Sequence, residues 1–112
     1  MLHEMKLRPV YFDLIQAGEK TIEIRLNDEK RQEIKIGDMI RFQKEPELQE
    51  TLDAEVIGLL RYKKFEDMYN DLPHKTMGFE GKTTEEMVNI TYEFYTPERE
   101  QNYGALGIKI RI

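Results

Sequence analysis

The chain contains no cysteine, which excludes a disulfide framework, a zinc-thiolate site and a thiol nucleophile together. It also lacks an apolar run long enough to cross a bilayer, and its opening MLHEMKLRPV has no basic segment leading into an apolar one. These absences argue for a cytoplasmic protein with no membrane partner. The sequon Asn89-Ile90-Thr91 carries no weight in that setting. There is no Walker-type loop, no GxGxxG, no GxSxG and no regular spacing of calcium ligands. His3-Glu4 has no second histidine four positions on, and His74 stands in a loop without a spaced partner. No metal and no cofactor are expected. An excess of positive charge is missing as well, since the net charge is −5, so indiscriminate binding to a phosphate backbone is not expected.

What is present suits a single folded domain spanning residues 1–112, with 39% hydrophobic and 35% charged residues. The charge is unevenly spread. Residues 1–44 hold nine Lys/Arg against eight Asp/Glu, and residues 45–112 hold eight against fourteen. An anionic ligand should therefore engage the N-terminal part.

Periodicity gives five strands and three helices. HEMKL is a first short strand, and Pro9 and Gly18 bracket a helix in PVYFDLIQA. From Thr21 the period becomes two, with Ile22, Ile24 and Leu26 facing one way and Thr21, Glu23 and Arg25 the other. MIRFQ follows the Gly37-Asp38 turn signal. A long strand runs from Thr51 to Tyr62, with Leu52, Ala54, Val56, Leu60 and Tyr62 on one face and a bulge or bend at Gly58. FEDMYND and the capping-box segment from Thr83 through TEEMVNITYEFY supply two further helices. ALGIKIRI closes the chain as a strictly alternating strand. The predicted class is α+β: a small mixed, mostly antiparallel β-barrel with about three flanking helices, with Ile22, Ile24, Ile40, Val56, Leu106 and Ile108 inside.

The densest chemistry lies in GEKTIEIRLNDEKR, Gly18 to Arg31. Its Gly18, Lys20, Thr21, Glu23 and Arg25 form a GxKxxExR pattern after a short helix. Together with the downstream Ile34, Gly37, Asp38, Ile40 and Phe42, the segment MGFEGKTTEEM and the terminal IKIRI, this resembles the ASCH domain of the PUA-like superfamily over nearly the whole chain. The resemblance implies a β-barrel with a cleft lined by the motif, and RNA or a small nucleoside-like ligand as partner. Some small bacterial relatives of this length are amidohydrolases that remove the acetyl group of N4-acetylcytidine, using a lysine, a threonine and a glutamate. Lys20 matches the lysine and Glu80 the glutamate, but Glu23 stands where the threonine nucleophile falls.

Three readings follow. The first is binding of RNA or a modified nucleoside by Lys20, Thr21, Glu23, Arg25, Phe79 and Glu80. Here a carboxylate and a guanidinium pair with donors and acceptors of a base, and one of Tyr11, Phe42, Tyr62, Phe79 and Tyr103 stacks on it. Phe79, in a glycine-flanked loop, is the aromatic expected to reach the cleft, whereas Phe42 belongs to the core. The second is an amidohydrolase in which Lys20, Glu23 and Glu80 are catalytic, with Thr21 as an alternative hydroxyl. A carboxylate replacing the hydroxyl nucleophile speaks against covalent amide hydrolysis. The third is a protein-interaction module using the acidic second half.

Overall fold

Each element has a local cause. In the computed structural model, which describes residues 1–112, β1 (Leu2–Leu7) ends before Pro9, and α1 (Pro9–Gln16) begins on that proline. The fixed φ of proline and its missing N–H suit the first helical turn. β2 (Ile22–Leu26) leads to α2 (Glu29–Gln32), a single turn started by the Asp28 carboxylate accepting from the Arg31 N–H. Then come β3 (Met39–Lys44), β4 (Thr51–Tyr62), α3 (Phe65–Asp71) and a 3₁₀ turn at His74–Met77. α4 (Thr84–Thr91) opens on a complete capping box formed by Thr83 and Glu86. α5 (Pro97–Tyr103) is capped by Thr96, and β5 (Ala105–Arg111) ends the fold.

The five strands form one curled sheet, a half-barrel, in the order β1-β3-β4-β5-β2. Only β1 and β3 run parallel; the other three pairings are antiparallel. The chain is thus α+β with a mixed, mostly antiparallel sheet, as its periodicity implies. No helix is long and apolar enough to cross a membrane. β1 and β2 are the two edges, so the places where a closed barrel would pair them remain open.

Two apolar clusters occupy the two sides of the sheet. One joins Met5, Leu7, Ile40, Phe42, Ala54, Val56, Leu106, Ile108 and Ile110 to Phe12 and Ile15 of α1 and to Ile34. The other gathers Ile22, Leu26 and Ala105 with Phe65, Met68 and Tyr69 of α3, Met77, Phe79 and Met87. Ile40, Val56, Leu106 and Ile108 belong to the first cluster as expected. Ile22 and Ile24, however, pack on the second. Alternation separates the two faces of a strand but does not say which layer each face meets. On β2 the apolar face is turned to the helices, and the polar face to the inside of the curl.

β4 shows the same limit. Its register shifts between Val56 and Gly58, so Leu59 is placed opposite Ile108 and Leu60 opposite Gly107. One extra residue reverses the parity of everything after it. Leu60 and Tyr62 therefore join the second cluster, while Ala54 and Val56 stay in the first. Gly58 lets the Lys109 side chain lie close over the bulge, since a Cβ there would come 2.9 Å from Lys109 Cδ.

The helices exceed the predicted three. The expected helix through Tyr95 stops at Thr91, whose hydroxyl donates back to the Met87 carbonyl at 2.8 Å. Pro97 then forbids a continuous helix and starts a new one. α5 escapes a periodicity search because PEREQNY has no apolar stripe. Its Thr96-Pro97 start was the available signal.

Candidate functional site

The site is assembled where α1 hands over to β2. After Gly18 turns the chain, the Lys20 N–H bonds the Leu14 carbonyl at 3.1 Å, and the Thr21 N–H bonds Thr76 at 2.9 Å. The junction is thereby clamped between α1 and the 3₁₀ turn, and the Lys20 side chain is directed inward. Its Nζ donates to the carbonyls of Ile22 and Met77, both at 2.9 Å, and stands 3.2 Å from Glu23 Oε1. Three acceptors match the three protons of an ammonium. Gly78, at φ 84°, leaves room for this chain, since a Cβ there would come within 3.0 Å of Lys20 Cδ.

Glu23 and Arg25 lie opposite Ile108 and Leu106 of β5, so both project toward the inside of the curled sheet. Arg25 Nε donates to Glu23 Oε2 at 2.7 Å, and Nη2 donates to the Lys6 carbonyl at 2.9 Å. That second bond spans the open seam, joining edge strand β2 to edge strand β1. Burial pushes the Glu23 carboxyl up, but the charges of Arg25 and Lys20 and their hydrogen bonds outweigh it and hold the group below the ordinary carboxylate range. Lys20 moves down because burial disfavours its charge more than Glu23 restores it. Burial also opposes the Arg25 charge, and Glu23, with help from Tyr95, overcomes it.

Along this seam lies a cavity of ≈ 280 Å³. Lys20, Glu23 and Arg25 form its polar floor, and Tyr11, Tyr69, Phe79, Phe94 and Tyr95 supply aromatic wall. The Phe79 ring meets Tyr11 and Tyr69 edge-on, each at 5.9 Å between centroids. At the mouth the Arg8 guanidinium lies 4.3 Å over the Phe94 ring. Behind Phe79, the two ring nitrogens of His74 lie 2.9 Å from the Lys82 carbonyl and 2.8 Å from that of Tyr69. His74 thus ties the loop carrying Met77 and Phe79 to α3.

Of the residues singled out from the sequence, Lys20, Glu23, Arg25 and Phe79 line this cavity, and Thr21 and Glu80 do not. Thr21 is exposed, its backbone held by Thr76 and Ile110; Glu80 is exposed in the turn after Phe79. One residue beyond a wall residue in a tight turn points elsewhere, so proximity in sequence does not carry Glu80 inward. Among the other candidate aromatics Tyr11 lines the cavity, Phe42 is wholly buried in the first cluster, and Tyr62 and Tyr103 border a separate surface groove. Lys6, Arg8, Glu45, Thr91, Phe94 and Tyr95 carried no sequence signal for this place. They reach it from three separate segments. No group of three His, Cys, Asp or Glu side chains is arranged to hold a metal.

The sequence profile of the ASCH domain matches residues 5–112. Among solved structures, the hypothetical protein PH0355 is 39% identical, with a TM-score of 0.89 over 99% of this chain and 98% of its own. Protein PF0455 from Pyrococcus furiosus is 33% identical, with a TM-score of 0.79 over 99% and 96% of the two chains. A variant of ZmASCH from Zymomonas mobilis shares the fold at 12% identity and a TM-score of 0.63, this chain covering 68% of that one. No curated protein is significantly similar in sequence.

Proposed function

The chain belongs to the ASCH domain family, and on that premise we propose that its seam cavity binds a nucleobase, presented by RNA or by a modified nucleoside. One observation carries this reading: a buried Lys20–Glu23–Arg25 network lies on the floor of a cavity walled by five aromatic rings. An unstacked base needs flat apolar surface for its faces and paired donors and acceptors for its edge. The rings supply the first need. Glu23 accepts and Arg25 donates along one edge, so mixed charge serves discrimination between bases. The volume falls near the lower end of small-ligand sites, which span about 300–1,000 Å³.

The amide-hydrolase reading finds no support in this cavity. The Thr21 hydroxyl and the Glu80 carboxylate are outside it. The aliphatic hydroxyl that does line it, Thr91, is bonded to Tyr69 at 2.6 Å and to the Met87 carbonyl, neither of them a base to activate attack. Titration of labelled protein with cytidine, N4-acetylcytidine and short single-stranded RNA tests the proposal. Binding should shift the resonances of Tyr11, Arg25, Phe79 and Phe94. Shifts confined to the exposed sheet face, or acetate release that Thr21→Ala abolishes, would overturn it.

A further inference from the structure

The floor of the cavity is electrically unbalanced. Lys20 and Arg25 share one carboxylate, Glu23, and the side chains of the three are only 3%, 13% and 5% exposed. The remaining partners of the two cations are the carbonyls of Ile22, Met77 and Lys6, with the Tyr95 side chain beside Arg25. Carbonyl dipoles ease a buried positive charge but do not neutralise it. The excess extends outward, because Lys6 and Arg8 also line the cavity while the one additional acid is Glu45. Four cations thus meet two carboxylates in a chain whose net charge is −5.

The donors are also unevenly spent. Lys20 has no proton left to offer. Arg25 has five N–H groups, of which one goes to Glu23 and one to Lys6 while Tyr95 also supports its charge, so part of its fork is left for a ligand in the cavity it lines. Arg8 has no acid partner, and its guanidinium carbon lies 4.3 Å from the Phe94 ring centroid, a contact with a ring face that takes up none of its N–H donors. A guanidinium at the mouth and a second one inside, both lining the cavity, suit a group with several anionic oxygens.

We propose that the ligand carries a phosphate, seated at the mouth between Arg8 and Arg25, so that the site takes a nucleotide in preference to the free nucleoside. This rests on the reading of the cavity as a nucleobase site, and it adds the part of the ligand that balances the charge. Lys20 is a positioning residue in this arrangement: it holds Glu23 and the Met77 carbonyl in place and makes no contact of its own with the ligand.

Calorimetric titration of the four common ribonucleosides against their 5′- and 3′-monophosphates tests this, at low and at moderate salt. At least one monophosphate should bind about ten-fold tighter than its nucleoside, with the advantage shrinking as salt rises. Arg8→Gln, at an exposed position that makes no side-chain cap to α1, should remove that advantage. A thermal melt of the variant confirms its fold. Equal affinity for nucleoside and monophosphate overturns the phosphate proposal and leaves the nucleobase reading standing, as does an Arg8→Gln variant that keeps the full advantage. Inorganic phosphate that binds the Arg8→Gln variant as well as the parent protein also overturns it, by placing the anion elsewhere. Failure of every nucleoside and nucleotide to bind removes both readings.

Discussion

Lys20 and Glu23 form an ion pair at 3.2 Å in which the lysine also donates to two backbone carbonyls, so one side chain ties β2 to the 3₁₀ turn. Replacing Lys20 by methionine strands the Met77 and Ile22 carbonyls and leaves a buried carboxylate with Arg25 alone. The expected cost is about 3–5 kcal/mol in a urea unfolding experiment. Thr21→Ala, at the neighbouring exposed position, should stay within about 0.5 kcal/mol. Equal costs for the two would show that the buried network does not hold the junction.

The same network sets an acid limit. Glu23 binds its proton less readily in the folded chain than its ordinary value of 4.5 implies. Its contribution to stability is therefore complete above that value and is lost as pH falls through the lower folded one. Asp38 acts in the same direction, lowered to about 2 by its hydrogen bond to His3 and then by the Lys35 N–H. The unfolding temperature should fall steadily below about pH 4.5, and Glu23→Gln should flatten that slope. A profile level down to about pH 3 in the parent protein would contradict the assignment.

Phe94 separates binding from folding. The residue is 49% exposed, so Phe94→Ala should change stability little. As a stacking surface under Arg8 it should matter to the ligand, at about 1–3 kcal/mol per base. Measuring nucleotide affinity and the melting temperature on the same variant checks both halves.

His74 has no place in the cavity but holds part of its wall. His74→Ala cuts the ties to Tyr69 and Lys82, which should speed amide hydrogen exchange in residues 74–82 before the sheet is affected. Ligand affinity should fall with it, because Phe79 and the Met77 carbonyl lie in that segment. Uniform acceleration across β4 and β5 would point to global destabilisation instead.

Ile108 lies in the middle of the first cluster with 0% exposure. Ile108→Ala should cost about 2–5 kcal/mol by chemical denaturation.

Local pattern in the sequence determined a good deal: the five strands, α1 between Pro9 and Gly18, α3, the capping box of α4, and the two-faced character of β2. These are short-range facts, set by side-chain period and by the backbone freedom of proline and glycine, and they need no knowledge of distant neighbours. The GxKxxExR pattern likewise marked Lys20, Glu23 and Arg25. Tertiary structure alone decided that the polar face of β2 looks into the curl, since an edge strand covered on both sides can satisfy its alternation either way. It also decided that one bulged residue in β4 moves Leu60 and Tyr62 to the other cluster. Above all it gathered Arg8, Glu45, Phe94 and Tyr95 around the network while leaving Thr21 and Glu80 outside, because the seam between β1 and β2 lies where three remote segments happen to meet.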